Sequence, residues 1–227
     1  MRTLSRFAFA AVGLAVAVGL HAANPRAQTP PAPAGRSTAQ APDQTRPQKM
    51  ELAEGTVARY KVREQLAGIS FPSDAVGTTS AVTGTIVLNP DGSIDARQSK
   101  ILVDLKLLKS DQSMRDGYVQ NNTLETAKFP TLEFTPRRAV DLKMPLPSAP
   151  PAQAGFRLVG DMTLHGVTKE VTWHVVATFA NDSMGGRATT TLTFTEFGMA
   201  KPSLARLLSV DDKIELEIEF RCKRSVL

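Results

Sequence analysis

One cysteine, Cys222, serves a chain of 227 residues, so no intramolecular disulfide can form. The fold must therefore hold itself together through its core. Histidine is almost as scarce, with His21, His165 and His174 alone. A nucleophilic hydrolase needs an activated nucleophile and an oriented base. No G-x-S-x-G elbow occurs, and the spacing of His165, His174 and Cys222 marks no metal site. The sequence therefore assigns no catalytic residue, no metal ligand and no cofactor. Aromatic residues make up 6% of the chain, with Trp173 the single tryptophan.

The chain also lacks a basic folded part, although its net charge is +5. Six of its 27 basic residues and one of its 22 acidic residues lie in positions 1–49, which leaves 21 of each in 50–227. The excess belongs to the leader and linker. A nucleic-acid surface needs basic side chains gathered on the domain, so the net charge gives no support for this function class and no nucleic-acid partner is expected.

Residues 1–23 read as a signal peptide. Arg2 and Arg6 precede the apolar run Phe7–Leu20, which is too short for a membrane span. Arg2 and Arg6 are not adjacent, so the general secretory route is expected, with a periplasmic or secreted product and no integral span after cleavage. Residues 24–49 are rich in Pro, Ala, Gln and Thr and hold no Leu, Ile, Val, Phe, Trp or Tyr. Such a segment reads as a disordered linker. Residues 50–227 form the domain.

What that domain has is alternation. In Glu170–Phe179, Val171, Trp173, Val175, Ala177 and Phe179 share one face, and Glu170, Thr172, His174 and Thr178 share the other. His165-Gly166-Val167-Thr168 is the turn that joins this strand to Val159–Leu164, with Gly166 free to take positive φ. The same period places strands at Thr56–Phe71, with Ala67-Gly68 as a bulge, and at Ser80–Asn89, Arg97–Leu108, Thr131–Arg138, Phe156–Leu164, Lys169–Phe179, Arg187–Glu196 and Lys213–Cys222. Pro72–Thr79 reads as a turn. A short helical turn is expected near 111–120, and the proline-rich 141–155 reads as an exposed loop. Glu215, Glu217 and Glu219 line one face of the last strand, where basic neighbours would offset their repulsion. Eight antiparallel strands with one apolar face imply an all-β barrel or a two-layer sandwich. A barrel of this strand length would suit an elongated apolar guest.

Three segments carry a family resemblance over residues 53–223. Ser113-Met114-Arg115-Asp116 leads to Leu124 and Lys128-Phe129-Pro130-Thr131-Leu132-Glu133-Phe134. Gly160-Asp161-Met162-Thr163-Leu164-His165-Gly166-Val167-Thr168-Lys169 is the most specific. Phe197-Gly198-Met199 and Val210-Asp211-Asp212-Lys213-Ile214 close the pattern. Together they resemble the YceI-like family of exported bacterial proteins, described as lipid- or polyisoprenoid-binding. The resemblance implies an extended, lipocalin-like eight-stranded antiparallel barrel around an apolar cavity. It implies a non-catalytic protein that binds a polyisoprenoid, an isoprenoid quinone or a fatty amphiphile as carrier or sensor. Arg63-Glu64-Gln65 stands where family members often carry a histidine, and 141–155 and 200–208 look like insertions.

The residues expected to line the cavity are Tyr60, Phe71, Ile86, Ile101, Val103, Leu105, Phe134, Leu158, Met162, Val171, Trp173, Val175, Phe194 and Ile218. Arg115, Asp116 and His165 are candidates for its mouth. Two other readings stay open. One is a barrel filled by its own side chains and used as a protein-interaction module. The other is an enzyme acting on a lipid head group, which would need Arg115, Asp116 and His165 to converge. The sequence is compatible with a homodimer.

Overall fold

The computed structural model describes residues 43–147 and 152–227. The expected leader and all but the end of the expected linker lie outside the described residues. No helix among the described residues is long and apolar enough to cross a membrane.

The strands are β1 (Gln48–Leu52), β2 (Val57–Leu66), β3 (Ser73–Thr79), β4 (Val82–Leu88), β5 (Lys100–Asp104), β6 (Lys109–Ser110), β7 (Thr131–Val140), β8 (Ala152–Leu164), β9 (Val167–Phe179), β10 (Ser183–Thr193) and β11 (Leu207–Val226). One short helix, α1 (Ser113–Tyr118), runs on into a π-type turn at Val119–Thr123. All strand pairs are antiparallel, and β1 pairs with both β4 and β11, which closes the sheet into a barrel.

Three wall strands are each broken in two. β11 pairs with β1 up to Cys222 opposite Leu52, and with β2 from Glu219 opposite Val57. β1 and β2 are thus halves of one stave, as are β3 and β4, which pair with them in turn. β5 and β6 make a third, interrupted by a 3-10 turn at Leu105–Leu107. With β7 to β11 the barrel has eight staves, as the periodicity predicts.

The β8–β9 hairpin follows the sequence reading closely. Leu164 pairs with Val167, and His165 and Gly166 between them have φ of 51° and 77°. Both positive values define the I′ turn, whose twist matches that of the strands. A Cβ on Gly166 would lie 2.7 Å from the Phe129 ring, so glycine is required for space as well as for φ. The acidic ladder on β11 is matched as expected. Arg59 on β2 bridges Glu217 and Glu219 at 2.9 and 3.1 Å, and Lys61 meets Glu215 at 2.6 Å.

Four expectations need correction. Gln48 and Lys49, assigned to the linker by composition, open β1; the Gln48 side chain is buried and donates to Asp43 O at 2.6 Å. Ser73–Thr79 is a strand and not a turn. Its inward residues are Ala75, Gly77 and Thr79, too small to give an apolar signal. Gly77 stands opposite Tyr60, and a Cβ on it would meet the Tyr60 ring at 2.2 Å. The first long strand ends at Leu66, since Ala67-Gly68 is the turn itself, with Gly68 at φ 81°. The proline-rich segment is not wholly exposed, because Leu146 is buried against the barrel end and β8 already begins at Ala152.

Packing divides the barrel across its middle. The half beside β1 and the end of β11 is filled by Leu88, Ile94, Phe134, Leu146, Leu158, Met162, Val175, Phe179, Met184 and Phe220, all buried. Arg224 is buried there too and ties this end together, donating to Ala180 O at 2.7 Å and to Pro147 O at 3.3 Å. The other half is open.

Candidate ligand-binding site

The open half holds a cavity of about 720 Å³. That lies within the range of roughly 300–1,000 Å³ typical of small-molecule sites. Ala58, Val62, Val103, Leu105, Leu132, Leu164, Trp173, Leu192, Phe194, Ile214 and Ile218 supply its apolar wall and floor. They come from the inward phase of β2, β5, β7, β8, β9, β10 and β11, or from the turns that follow β5 and β10. The mouth is framed by three connections: the β2–β3 turn, the α1 region, and the segment between β10 and β11.

Of the residues expected to line it, Tyr60, Val103, Leu105, Trp173, Phe194 and Ile218 do so. Ile101, Phe134, Leu158, Met162 and Val175 are buried below the floor and belong to the filled half. Ile86 and Val171 are partly buried and pack against the core without reaching the cavity. Phe71 is exposed, because the chain turns at Ala67-Gly68 before it can continue the strand. Period-two alternation tells inside from outside. It carries no information on depth along the barrel, so the floor was not legible.

Trp173 forms part of the floor. Its ring meets Phe134 edge-on at 6.1 Å between centroids, and its Nε1 has no hydrogen-bond partner among the described residues. Thr123 Oγ1, on the same cavity wall, is likewise unpartnered and buried.

One polar cluster breaks the apolar lining near the mouth. Glu64, which faces inward from β2, accepts a hydrogen bond from Arg115 Nη2 at 2.6 Å. Arg115 also pairs with Asp111. Burial works against the charge on Arg115, but the two carboxylates outweigh it and hold its pKa above the ordinary guanidinium value. Tyr60 stands beside this pair, and burial pushes its phenol up to about 12. It is therefore a neutral donor at any physiological pH. Glu64 escaped the sequence reading because a lone glutamate among Arg63 and Gln65 looks like surface. Its in-phase spacing from Tyr60 and Val62 was the available signal.

Arg115, Asp116 and His165 do not converge. Asp116 accepts from Ser110 N–H and Oγ–H at 2.8 and 2.7 Å, fixing the entry to α1. His165 Nε2 lies 2.7 Å from Glu125 Oε2, with its ring on Phe129. His174 is exposed on the outer face. Among the described residues, no group of three or more His, Cys, Asp or Glu is placed to hold a metal ion.

A family model described as a YceI-like domain matches residues 53–222. A UPF0312 protein of Pseudomonas putida strain W619 is 35% identical over 129 residues, covering 52% of this chain and 62% of its own length. A UPF0312 protein of Vibrio vulnificus strain YJ016 is 28% identical over 134 residues, covering 55% and 64%. The chain thus spans less than two thirds of the length of these relatives. Among solved structures, a polyisoprenoid binding domain from Saccharophagus degradans, described as implicated in plant cell wall breakdown, aligns with a TM-score of 0.61 at 11% identity. That alignment covers 78% of this chain and 98% of the other. A Campylobacter jejuni YceI protein aligns with a TM-score of 0.54 at 14% identity, covering 70% and 90%. At these identities the likeness is one of fold.

Proposed function

The chain belongs to the YceI-like domain family, and from that premise we propose that it binds an apolar lipid in the open half of its barrel. The cavity carries the reading: about 720 Å³ of predominantly apolar space, open at one end, with one polar cluster beside the mouth. Such a site takes up hydrocarbon at about 25 cal/mol for each Å² removed from water, less the cost of immobilising a flexible chain. The polyisoprenoid named for the Saccharophagus domain, an isoprenoid quinone and a fatty amphiphile all fit this chemistry. The role is carriage or sensing, without a catalytic step, in the envelope compartment to which the leader would direct the chain.

The polar cluster favours an uncharged head. Arg115 is already balanced by Glu64 and Asp111, which leaves little net positive charge for a phosphate. The Tyr60 hydroxyl, with no hydrogen-bond partner among the described residues, is a donor for a carbonyl. The cavity stops at Trp173, so a chain longer than the open half must fold back or emerge at the mouth.

Tryptophan fluorescence tests this. Titration with an isoprenoid quinone should quench Trp173 saturably, and Trp173 is the single tryptophan, so the signal reports the cavity floor. In a second assay with a radiolabelled quinone, Trp173→Ala should weaken binding about tenfold or more, as expected for losing a large buried contact. No quenching, with unchanged affinity in the variant, would remove the cavity reading.

A further inference from the structure

Eight large apolar side chains stand exposed among the described residues, and four of them crown the cavity mouth. They are Ile69 (52% exposed) and Phe71 (78%) on the β2–β3 turn, Met114 (79%) on α1 and Leu208 (66%) at the start of β11. The three segments are joined. Ala67 N–H donates to Arg206 O at 2.8 Å, and Ser203 N–H donates to Tyr118 Oη at 3.2 Å. Ile69 and Met114 also line the cavity, so apolar surface continues from the floor to the outer rim.

The charges on these segments all have one free sign. Over 67–72, 111–118 and 199–208 the acids are Asp111 and Asp116, and both are engaged, with Arg115 and Ser110 respectively. The remaining charges are Lys201 and Arg206, both exposed and without an ion pair among the described residues. An apolar rim set with unpaired cations is the pattern of a protein that lies on an anionic membrane surface.

We propose that the open end of the barrel docks on an anionic lipid bilayer. Ile69, Phe71, Met114 and Leu208 enter the boundary between head groups and acyl chains, and Lys201 and Arg206 meet lipid phosphates. A bilayer fits this rim better than a protein partner does. A protein seated there would stopper the mouth, whereas a membrane is itself the source and sink of an apolar ligand. The proposal rests on the reading that the cavity takes lipid, and it gives the ligand a path that avoids water.

The test uses the full chain with Phe71→Cys carrying an environment-sensitive nitrobenzoxadiazole label. Cys222 is buried, so it stays unlabelled in the native protein. A Pro90→Cys label reports the opposite end of the barrel. The leader is present in both labelled chains, so only a difference between the labels counts. Vesicles of phosphatidylethanolamine and phosphatidylglycerol should raise and blue-shift emission at position 71 and leave position 90 unchanged. Phosphatidylcholine vesicles should give a much smaller response. In the Phe71→Cys background, Lys201→Ala with Arg206→Ala should lower partitioning by about 30-fold, as expected for two surface cations. The proposal is overturned by a silent label at 71, by equal responses at both positions, or by a response that appears only when another envelope protein is added. Organic extraction of the same samples separates the two ideas. Bound lipid with a silent rim refutes docking alone. A responsive rim on a chain that retains no lipid, and whose Trp173 does not respond to added isoprenoid quinone, refutes the cavity reading and leaves the membrane contact standing.

Discussion

Tyr60, Glu64 and Arg115 place a small polar island in an apolar mouth, and their energetics differ from those of the outer ion pairs. The pairs of Arg59 and Lys61 with the β11 glutamates are solvated and contribute little. Glu64 and Arg115 are largely withdrawn from water, and removing one partner strands the other. Glu64→Leu should cost about 3 kcal/mol, the low end for a broken buried pair because Asp111 remains. Combining it with Arg115→Met should restore stability to within about 1 kcal/mol of the original, since well-packed apolar groups replace such pairs at little cost. Urea unfolding of the two variants decides it; equal losses in both would mean that the pair is not coupled.

Cys222, which is buried, and Tyr60, which is half-buried, make the stability of the fold sensitive to alkali. Burial pushes the Cys222 thiol from 9.0, and the Tyr60 phenol from 10.0, up to about 12. The unfolded chain therefore releases these protons first as pH rises. The stability they contribute is complete below about pH 9 and declines toward pH 12. Melting temperature measured from pH 8 to 11 should fall, and Cys222→Ala should make the fall shallower. An identical slope in that variant would show that the thiol plays no part.

At the scale of elements, the hairpins were readable and the broken staves were not. β9 advertises itself because Trp173, Val175, Ala177 and Phe179 occupy one buried face without interruption. β3 is hidden because its inner face is made of Ala75, Gly77 and Thr79, with Gly77 leaving the space that Tyr60 needs. β1 is hidden because Gln48 holds an inward position through a hydrogen bond to Asp43 O, and pattern reading treats glutamine as solvent-facing. Close approach between strands matters as well. The β7–β8 pair changes register between Pro136 and Arg138, beside Gly160, where a Cβ would lie 2.2 Å from Thr135 O and 2.7 Å from Pro136 Cα. Neither contact can move aside, since both atoms are backbone. Gly160→Ala should destabilise the chain by about 2 kcal/mol, roughly 4–8 °C in melting temperature. A calorimetric scan with an unchanged midpoint would contradict this account of the bulge.

The whole molecule combines two readings that the sequence held apart. The half beside β1 and the end of β11 is a barrel packed with its own side chains, and the other half encloses a cavity. Alternation along each strand made the apolar interior legible, but which inward residues meet one another depends on stagger around the barrel, and no single strand records that. This is why six of the fourteen expected lining residues reach the cavity, while five others support its floor from below. The arrangement gives the molecule a direction. A plugged base holds β1 and β11 together, and the β2–β3 turn, the α1 region and the β10–β11 segment gather at the opposite end around the mouth.

Mass spectrometry of an organic extract from the purified, exported chain tests the central claim most directly. The account predicts a long-chain apolar species with an uncharged head, near one per chain, absent from a control protein prepared alongside and depleted in Trp173→Ala. An extract without such a species, from a chain whose Trp173 fluorescence also fails to respond to added isoprenoid quinone, would contradict it.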